Sequence, residues 1–146
     1  MSRHTVEQYM TASPVVIESD RSLSEAHEVL RMHGIRHLPV VQRGALVGIL
    51  SQRDLYLVET LRGVDAATET VAQAMNREPY TTTRGAPLDE VAREMADHKY
   101  GSAVVVDGGT IIGLFTTVDA LRALAALLGG GGARRASRRN ASASSA

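Results

Sequence analysis

The sequence has no cysteine and no tryptophan, and its aromatic side chains besides histidine are confined to Tyr9, Tyr56, Tyr80, Tyr100 and Phe115. The missing cysteine excludes a disulfide framework and any thiolate metal site, and it permits a reducing compartment. So few aromatics make the core an aliphatic one and leave no stacking platform for single-stranded nucleic acid. No run approaches the roughly 20 apolar residues of a membrane span. The opening "MSRHTVEQYM" lacks the apolar stretch of a signal peptide, so a soluble cytoplasmic protein is expected.

What is present is enough for one compact domain or two very small ones: 146 residues, 44% of them hydrophobic. The formal charge is zero, but it is unevenly spread. Arg134, Arg135, Arg138 and Arg139 lie in a terminal stretch without acids. Removing those four from 16 basic residues leaves 12 against 16 acidic ones, so the body carries −4. The run Gly129–Gly132 begins a Gly/Arg/Ser-rich segment that reads as a disordered basic tail over 129–146. Its arginines suit either solvent or a weak contact with an anionic partner, and "RRAS" ending at Ser137 suits a basic-directed kinase.

The body repeats itself. "GILSQRD" (48–54) and "GLFTTVD" (113–119) share a glycine, two apolar residues, a hydroxyl and an aspartate. At the same offset of 65, Met10 meets Met75, Pro14 meets Pro79, Leu23 meets Leu88, His33 meets His98 and Gly44 meets Gly109, with no gap from Met10 to Leu121. The copies are read as 1–64 and 65–128. Each predicts a βαββα unit, and the fold class is α/β. "SPVVI" and "EPYTT" read as first strands. Ser22 with Glu25 forms a capping box ahead of a helix with Leu23, Ala26, Val29 and Leu30 on one face, and Gly34 ends it. Pro87 stands in the first turn of the matching helix, whose stripe is Leu88, Val91 and Met95. "RHLPVVQ" and "GSAVVVD" read as buried strands that turn at "RG" and "GG" into "ALVGILS" and "TIIGLFT". Ser51 and Thr116 then cap a last helix. Units of about 60 residues are marginal alone, so the two are expected to stack on one core with pseudo-twofold symmetry and two related clefts.

These stretches resemble a tandem CBS-domain pair, the Bateman module: "YMTASPVVI", "GIRHLPVV" and "LVGILSQRDL" in the first copy, "AMNREPYTT", "YGSAVVV" and "IIGLFTTVDAL" in the second. The resemblance covers positions 9 to 128. It implies two βαββα units that bind an adenosine compound (AMP, ADP, ATP, S-adenosylmethionine or a dinucleotide), regulation without catalysis, and a disc-like dimer.

Two roles remain open for the repeated turn. Ser51-x-x-Asp54 and Thr116-x-x-Asp119 are capping signatures, with an acid in the first turn favoured by the helix dipole. A carboxylate also matches the paired hydroxyls of a ribose, and the resemblance implies that Ser51, Asp54, Thr116 and Asp119 contact the nucleoside. The first copy adds Arg36, His37 and Arg53, which suit either a phosphate or solvent. Gly101, Ser102 and Val118 replace them in the second, so the clefts are expected to be unequal. By resemblance each cleft mixes the copies: Asn76 and Thr81 with Arg36, His37, Ser51, Arg53 and Asp54, and Thr11 and Val16 with Ser102, Thr116 and Asp119. His33 and His37 have no third ligand, so no metal is expected. No Ser-His-Asp set or phosphate loop appears. The reading is an adenine-nucleotide sensor acting through shape change as a homodimer, with a structural dimerisation module with empty clefts as the alternative. Leu55, Leu57, Leu61, Leu121, Leu124, Leu127 and Leu128 cover more than one helix face and motivate the dimer.

Overall fold

The computed structural model describes residues 4–62 and 64–129; most of the basic tail lies outside them. The described chain divides into two compact units. One holds the residues up to Ser13, Tyr80–Asp107 and the chain from Ile112 on, and the other holds Pro14–Pro79 with Gly108–Ile111. The grouping differs from a division at residue 64. The segment that leads into each copy packs on the body of the other copy.

In the unit built on Pro14–Pro79, β2 (Ile17–Glu18) runs parallel to β3 (His37–Gln42), which pairs antiparallel with β4 (Ala45–Ser51). α1 (Leu23–His33) links β2 to β3, α2 (Gln52–Arg62) follows β4, and the short α3 (Val71–Ala74) lies in the lead-in to the second copy. The other unit has a four-stranded sheet. Its strands are β1 (Thr11–Ala12), β7 (Thr110–Thr116), β6 (Ser102–Asp107) and β5 (Thr81–Thr83), in that order. It also contains a 3-10 turn at Val6–Gln8, α4 (Leu88–His98) and α5 (Thr117–Gly129). The expected βαββα order holds in both copies. The two short lead-in helices and β1 were not expected, because two to four residues carry no readable periodicity.

Local chemistry explains the boundaries. Ser22 Oγ accepts from Glu25 N at 3.1 Å while Glu25 Oε1 accepts from Ser22 N at 3.2 Å, the capping box that opens α1. Gly34 closes the helix at φ 62°, and Lys99 takes the same left-handed conformation at φ 59° to close α4. Pro87 sits at the N-cap of α4, one residue ahead of the first turn. Both hairpins turn through two positive-φ residues: Arg43 (53°) with Gly44 (81°), and Gly108 (57°) with Gly109 (84°).

The lead-in segments hold each helix start in the same way. Leu23 N donates to Glu69 O (3.0 Å) and Val71 N to Arg21 O (2.8 Å). At equivalent positions of the other unit, Leu88 N donates to His4 O (2.8 Å) and Val6 N to Ala86 O (3.0 Å). Amides that a helix leaves without partners are thereby satisfied by backbone. Val71 and Val6 are fully buried and complete the two apolar clusters. One cluster contains Leu38 and Leu50, cross-strand neighbours in β3 and β4; the other has Ala103 and Phe115 at those positions. A smaller residue on one strand is offset by a larger one on its neighbour, so each pair brings eight side-chain carbons to its core. The sole phenylalanine is therefore the largest fully buried side chain in an otherwise aliphatic interior.

The repeated glycines face these segments. A β-carbon on Gly48 would lie 2.6 Å from Met75 Sδ and 2.8 Å from the Asn76 carbonyl oxygen. The three atoms nearest to one on Gly113 all belong to the Met10 side chain. Backbone cannot step aside as a methionine can. Gly48→Ala is therefore expected to destabilise by about 1–3 kcal/mol, and Gly113→Ala by less than about 1 kcal/mol once Met10 changes rotamer. Urea denaturation of the two variants checks this, and equal losses would show that the lead-in backbone is not the obstacle.

Candidate functional site

The unit containing the first copy assembles its candidate residues around the end of the β3–β4 hairpin. The register pairs His37 with Ser51, and Gln52 N donates to Arg36 O at 2.9 Å, fixing the start of α2 beside the start of β3. Asp54 Oδ2 accepts from Ser51 N at 3.0 Å, and Asp54 N donates to Ser51 Oγ at 3.0 Å. The motif is thus a reciprocal helix cap. The cap uses one carboxylate oxygen. Among the described residues nothing donates to Asp54 Oδ1, and the residue is only half buried. Arg36 and Arg53 are exposed. Asn76 joins the same edge through a bridge to Ile49: Ile49 N donates to Asn76 O at 2.9 Å and Asn76 N to Ile49 O at 2.8 Å. The Asn76 side chain turns onto its own backbone, with Oδ1 accepting from Glu78 N at 2.9 Å.

His37 is partly buried. Loss of hydration lowers its pKa below the ordinary 6.5; the Asp54 carboxylate opposes that shift and the Arg36 cation adds to it. The ring is neutral at pH 7 and accepts or donates one hydrogen bond at each nitrogen.

The other unit builds the same turn with a different result. Thr117 N donates to Gly101 O at 3.2 Å, matching the Gln52–Arg36 bond. Asp119 is buried, with 6% of its surface exposed, as is Ser102. Asp119 Oδ2 accepts from Thr116 N (2.9 Å) and Thr116 Oγ1 (3.2 Å). Thr11 Oγ1 also donates to Asp119 Oδ1 at 3.2 Å. Of the sequence-derived candidates, Arg36, His37, Ser51, Arg53, Asp54 and Asn76 share one unit with Val16. Thr11, Ser102, Thr116 and Asp119 share the other with Thr81. The Thr11–Asp119 bond spans 108 residues; the family resemblance grouped these two residues in one cleft but did not foresee a direct bond between them. The role of Met10 and Met75 was visible only as a match at the repeat offset. His33 lies at the end of α1 and His37 on β3, with the left-handed Gly34 between them. Among the described residues no three His, Cys, Asp or Glu side chains gather as a metal site.

This duplicated strand–helix architecture, with a Gly-to-Asp turn at each last helix, is that of a CBS-domain pair. The chain belongs to the CBS domain family, which matches it twice, over residues 6–58 and 71–126. Each match begins at a lead-in helix rather than at the following strand. The chain is 27% identical to the CBS domain-containing protein YhcV of Bacillus subtilis over 79% of its own length and 81% of that protein. Some other relatives are far longer, and the chain spans 22% of L-aspartate semialdehyde sulfurtransferase from Methanocaldococcus jannaschii. Among solved structures it is similar to the CBS domain pair of protein MJ0100 in complex with 5′-methylthioadenosine and S-adenosyl-L-methionine. That likeness has a TM-score of 0.77 and 28% identity, covering 84% of this chain and 97% of that one. It is also similar to CBSX2 in complex with AMP, with a TM-score of 0.74 and 26% identity, covering 83% and 96%. No described helix is long and apolar enough to cross a membrane.

The partly buried, neutral His37 gives a pH signature. A histidine whose folded pKa lies below its unfolded value stabilises the fold fully above pH 6.5, and that contribution is lost as pH falls through the folded pKa. Wild type is therefore expected to lose more stability than His37→Gln between pH 7.5 and pH 5. Denaturation at several pH values checks it, and parallel curves would place His37 in solvent.

Proposed function

We propose that this CBS pair is a regulatory sensor of an adenosine compound, with the ribose held by Asp54. The carrying observation is the division of labour within one carboxylate. Oδ2 completes the cap of α2, and Oδ1 keeps its accepting capacity at a half-buried edge. A ribose presents two adjacent donors, and hydrogen bonds to an ionised carboxylate are the stronger kind. His37 beside Ser51, with Arg36 and Arg53 exposed nearby, provides donors for a phosphate, so AMP, ADP and ATP are the preferred class. The adenosine ligands of MJ0100 and CBSX2 support the same chemistry.

The sensor acts by binding rather than catalysis. A ligand preferred by one conformation shifts the population toward it and so biases a partner. The functional form is a homodimer. Leu57 and Leu61 (76% exposed) on α2 form one exposed apolar set, and Leu121 (65%), Leu124, Leu127 and Leu128 (79%) on α5 form another. Such a set is the mark of an interface. Sedimentation at high concentration is expected to show a dimer, and a monomer with and without nucleotide would remove that part of the proposal.

Ligand at 100 times its dissociation constant stabilises the folded state by about 2.7 kcal/mol. AMP, ADP or ATP is therefore expected to raise the melting temperature by several degrees, and a 2′,3′-dideoxy analogue by less. Asp54→Ala should cost about 1 kcal/mol in the free protein as a lost cap and abolish most of the ligand-induced rise. Arg53→Ala should weaken phosphorylated ligands and spare adenosine. A rise unchanged in Asp54→Ala would leave Asp54 a cap and nothing more. No rise with any adenosine ligand would favour a dimerisation module instead.

A further inference from the structure

The two Gly-to-Asp turns match in backbone and differ in what the aspartate already holds. Thr11 lies on β1, which pairs with β7 so that Thr11 faces Leu114 and Ala12 faces Gly113. The pairing brings Thr11 within reach of the start of α5. Its hydroxyl donates to Asp119 Oδ1 at 3.2 Å and lies 3.5 Å from Oδ2, while Thr116 supplies the remaining donors to Oδ2. Both oxygens of the buried Asp119 are thus engaged within one unit. The equivalent of Thr11 in the other copy is Asn76. Its side chain bonds Glu78 N, and Asp54 Oδ1 receives no donor among the described residues.

We infer that Thr11 is the residue that closes the second nucleoside site, so that the chain takes one ribonucleoside ligand, at Asp54. The inference rests on the sensor reading above and adds its stoichiometry and the side chain that sets it. A ribose approaching Asp119 must displace a hydroxyl already bonded to the carboxylate. Loss of one charge-assisted hydrogen bond weakens binding roughly ten- to hundredfold. The uncharged Gly101, Ser102 and Val118, at the positions of Arg36, His37 and Arg53, disfavour a phosphate there. It does not disfavour a bare ribose, so adenosine rather than AMP isolates the contribution of Thr11.

The test is calorimetric titration of the full chain with adenosine, using wild type and Thr11→Val, which keeps the shape of threonine without its hydroxyl. Wild type is expected to take one adenosine per chain, lost in Asp54→Ala. Thr11→Val is expected to gain a second site, at least tenfold tighter than any second event in wild type. That site should be absent for 2′,3′-dideoxyadenosine and removed by adding Asp119→Ala. Two equivalent sites in wild type, or a single site in Thr11→Val, would overturn the inference while leaving the sensor reading intact. No adenosine on either protein would overturn the sensor reading itself. A ligand-free double-mutant cycle of Thr11→Val with Asp119→Asn on urea stability tests the contact directly. A positive coupling is expected, and zero coupling would overturn the inference whatever binds.

Discussion

The candidate site depends on how the lead-in segments attach. Each places two backbone hydrogen bonds on a helix start, Leu23 N to Glu69 O and Val71 N to Arg21 O in one unit, and Leu88 N to His4 O and Val6 N to Ala86 O in the other. The segment then runs on to the strand that carries the repeated glycine. There Asn76 pairs with Ile49, and Thr11 pairs with Leu114. Without this attachment neither Asn76 nor Thr11 would stand beside its Gly-to-Asp turn, and the helix starts would keep amides without partners. The glycine is required for packing. At Gly48 the space a β-carbon would need is filled by Met75 and by the Asn76 carbonyl.

Stability and recognition meet in the same few atoms. A helix cap needs one hydroxyl and one carboxylate oxygen, and Ser51 with Asp54 supplies both. What the cap leaves unused is what a ligand can take. The copies diverge at this point, since Asp54 retains an oxygen while Asp119 is buried under Thr11 and Thr116. Duplication supplied two equivalent turns, and single side chains at equivalent positions made them chemically unequal. The replacement of Arg36, His37 and Arg53 by Gly101, Ser102 and Val118 works in the same direction for charged ligands.

Much of the fold was legible because its signals are local and duplicated. Ser22 with Glu25, Gly34, and the turns at Arg43–Gly44 and Gly108–Gly109 carry their own stereochemistry, and each was confirmed by dihedral angle or hydrogen bond. The family was legible in the order and spacing of its motifs. The crossed lead-in segments were not, because fragments such as Thr11–Ala12 and Val71–Ala74 are too short for any period, and their partners lie far along the chain. The exchange of Leu38 and Leu50 for Ala103 and Phe115 was equally hidden, since the match becomes visible only when cross-strand neighbours are known. For the site, the charge difference between Arg36, His37 and Arg53 and their counterparts Gly101, Ser102 and Val118 is visible in the sequence. The covering of Asp119 by Thr11 is a tertiary contact across 108 residues.

The most direct measurement is a crystal structure of the full chain grown with AMP. The account predicts a ribose hydroxyl on Asp54 Oδ1 at about 2.5–2.7 Å, the distance of an O–H donor to a carboxylate, with Ser51 still capping the helix and Thr11 still bonded to Asp119. A ribose held by Asp119 with Asp54 unengaged, or AMP bound away from both aspartates, would contradict it.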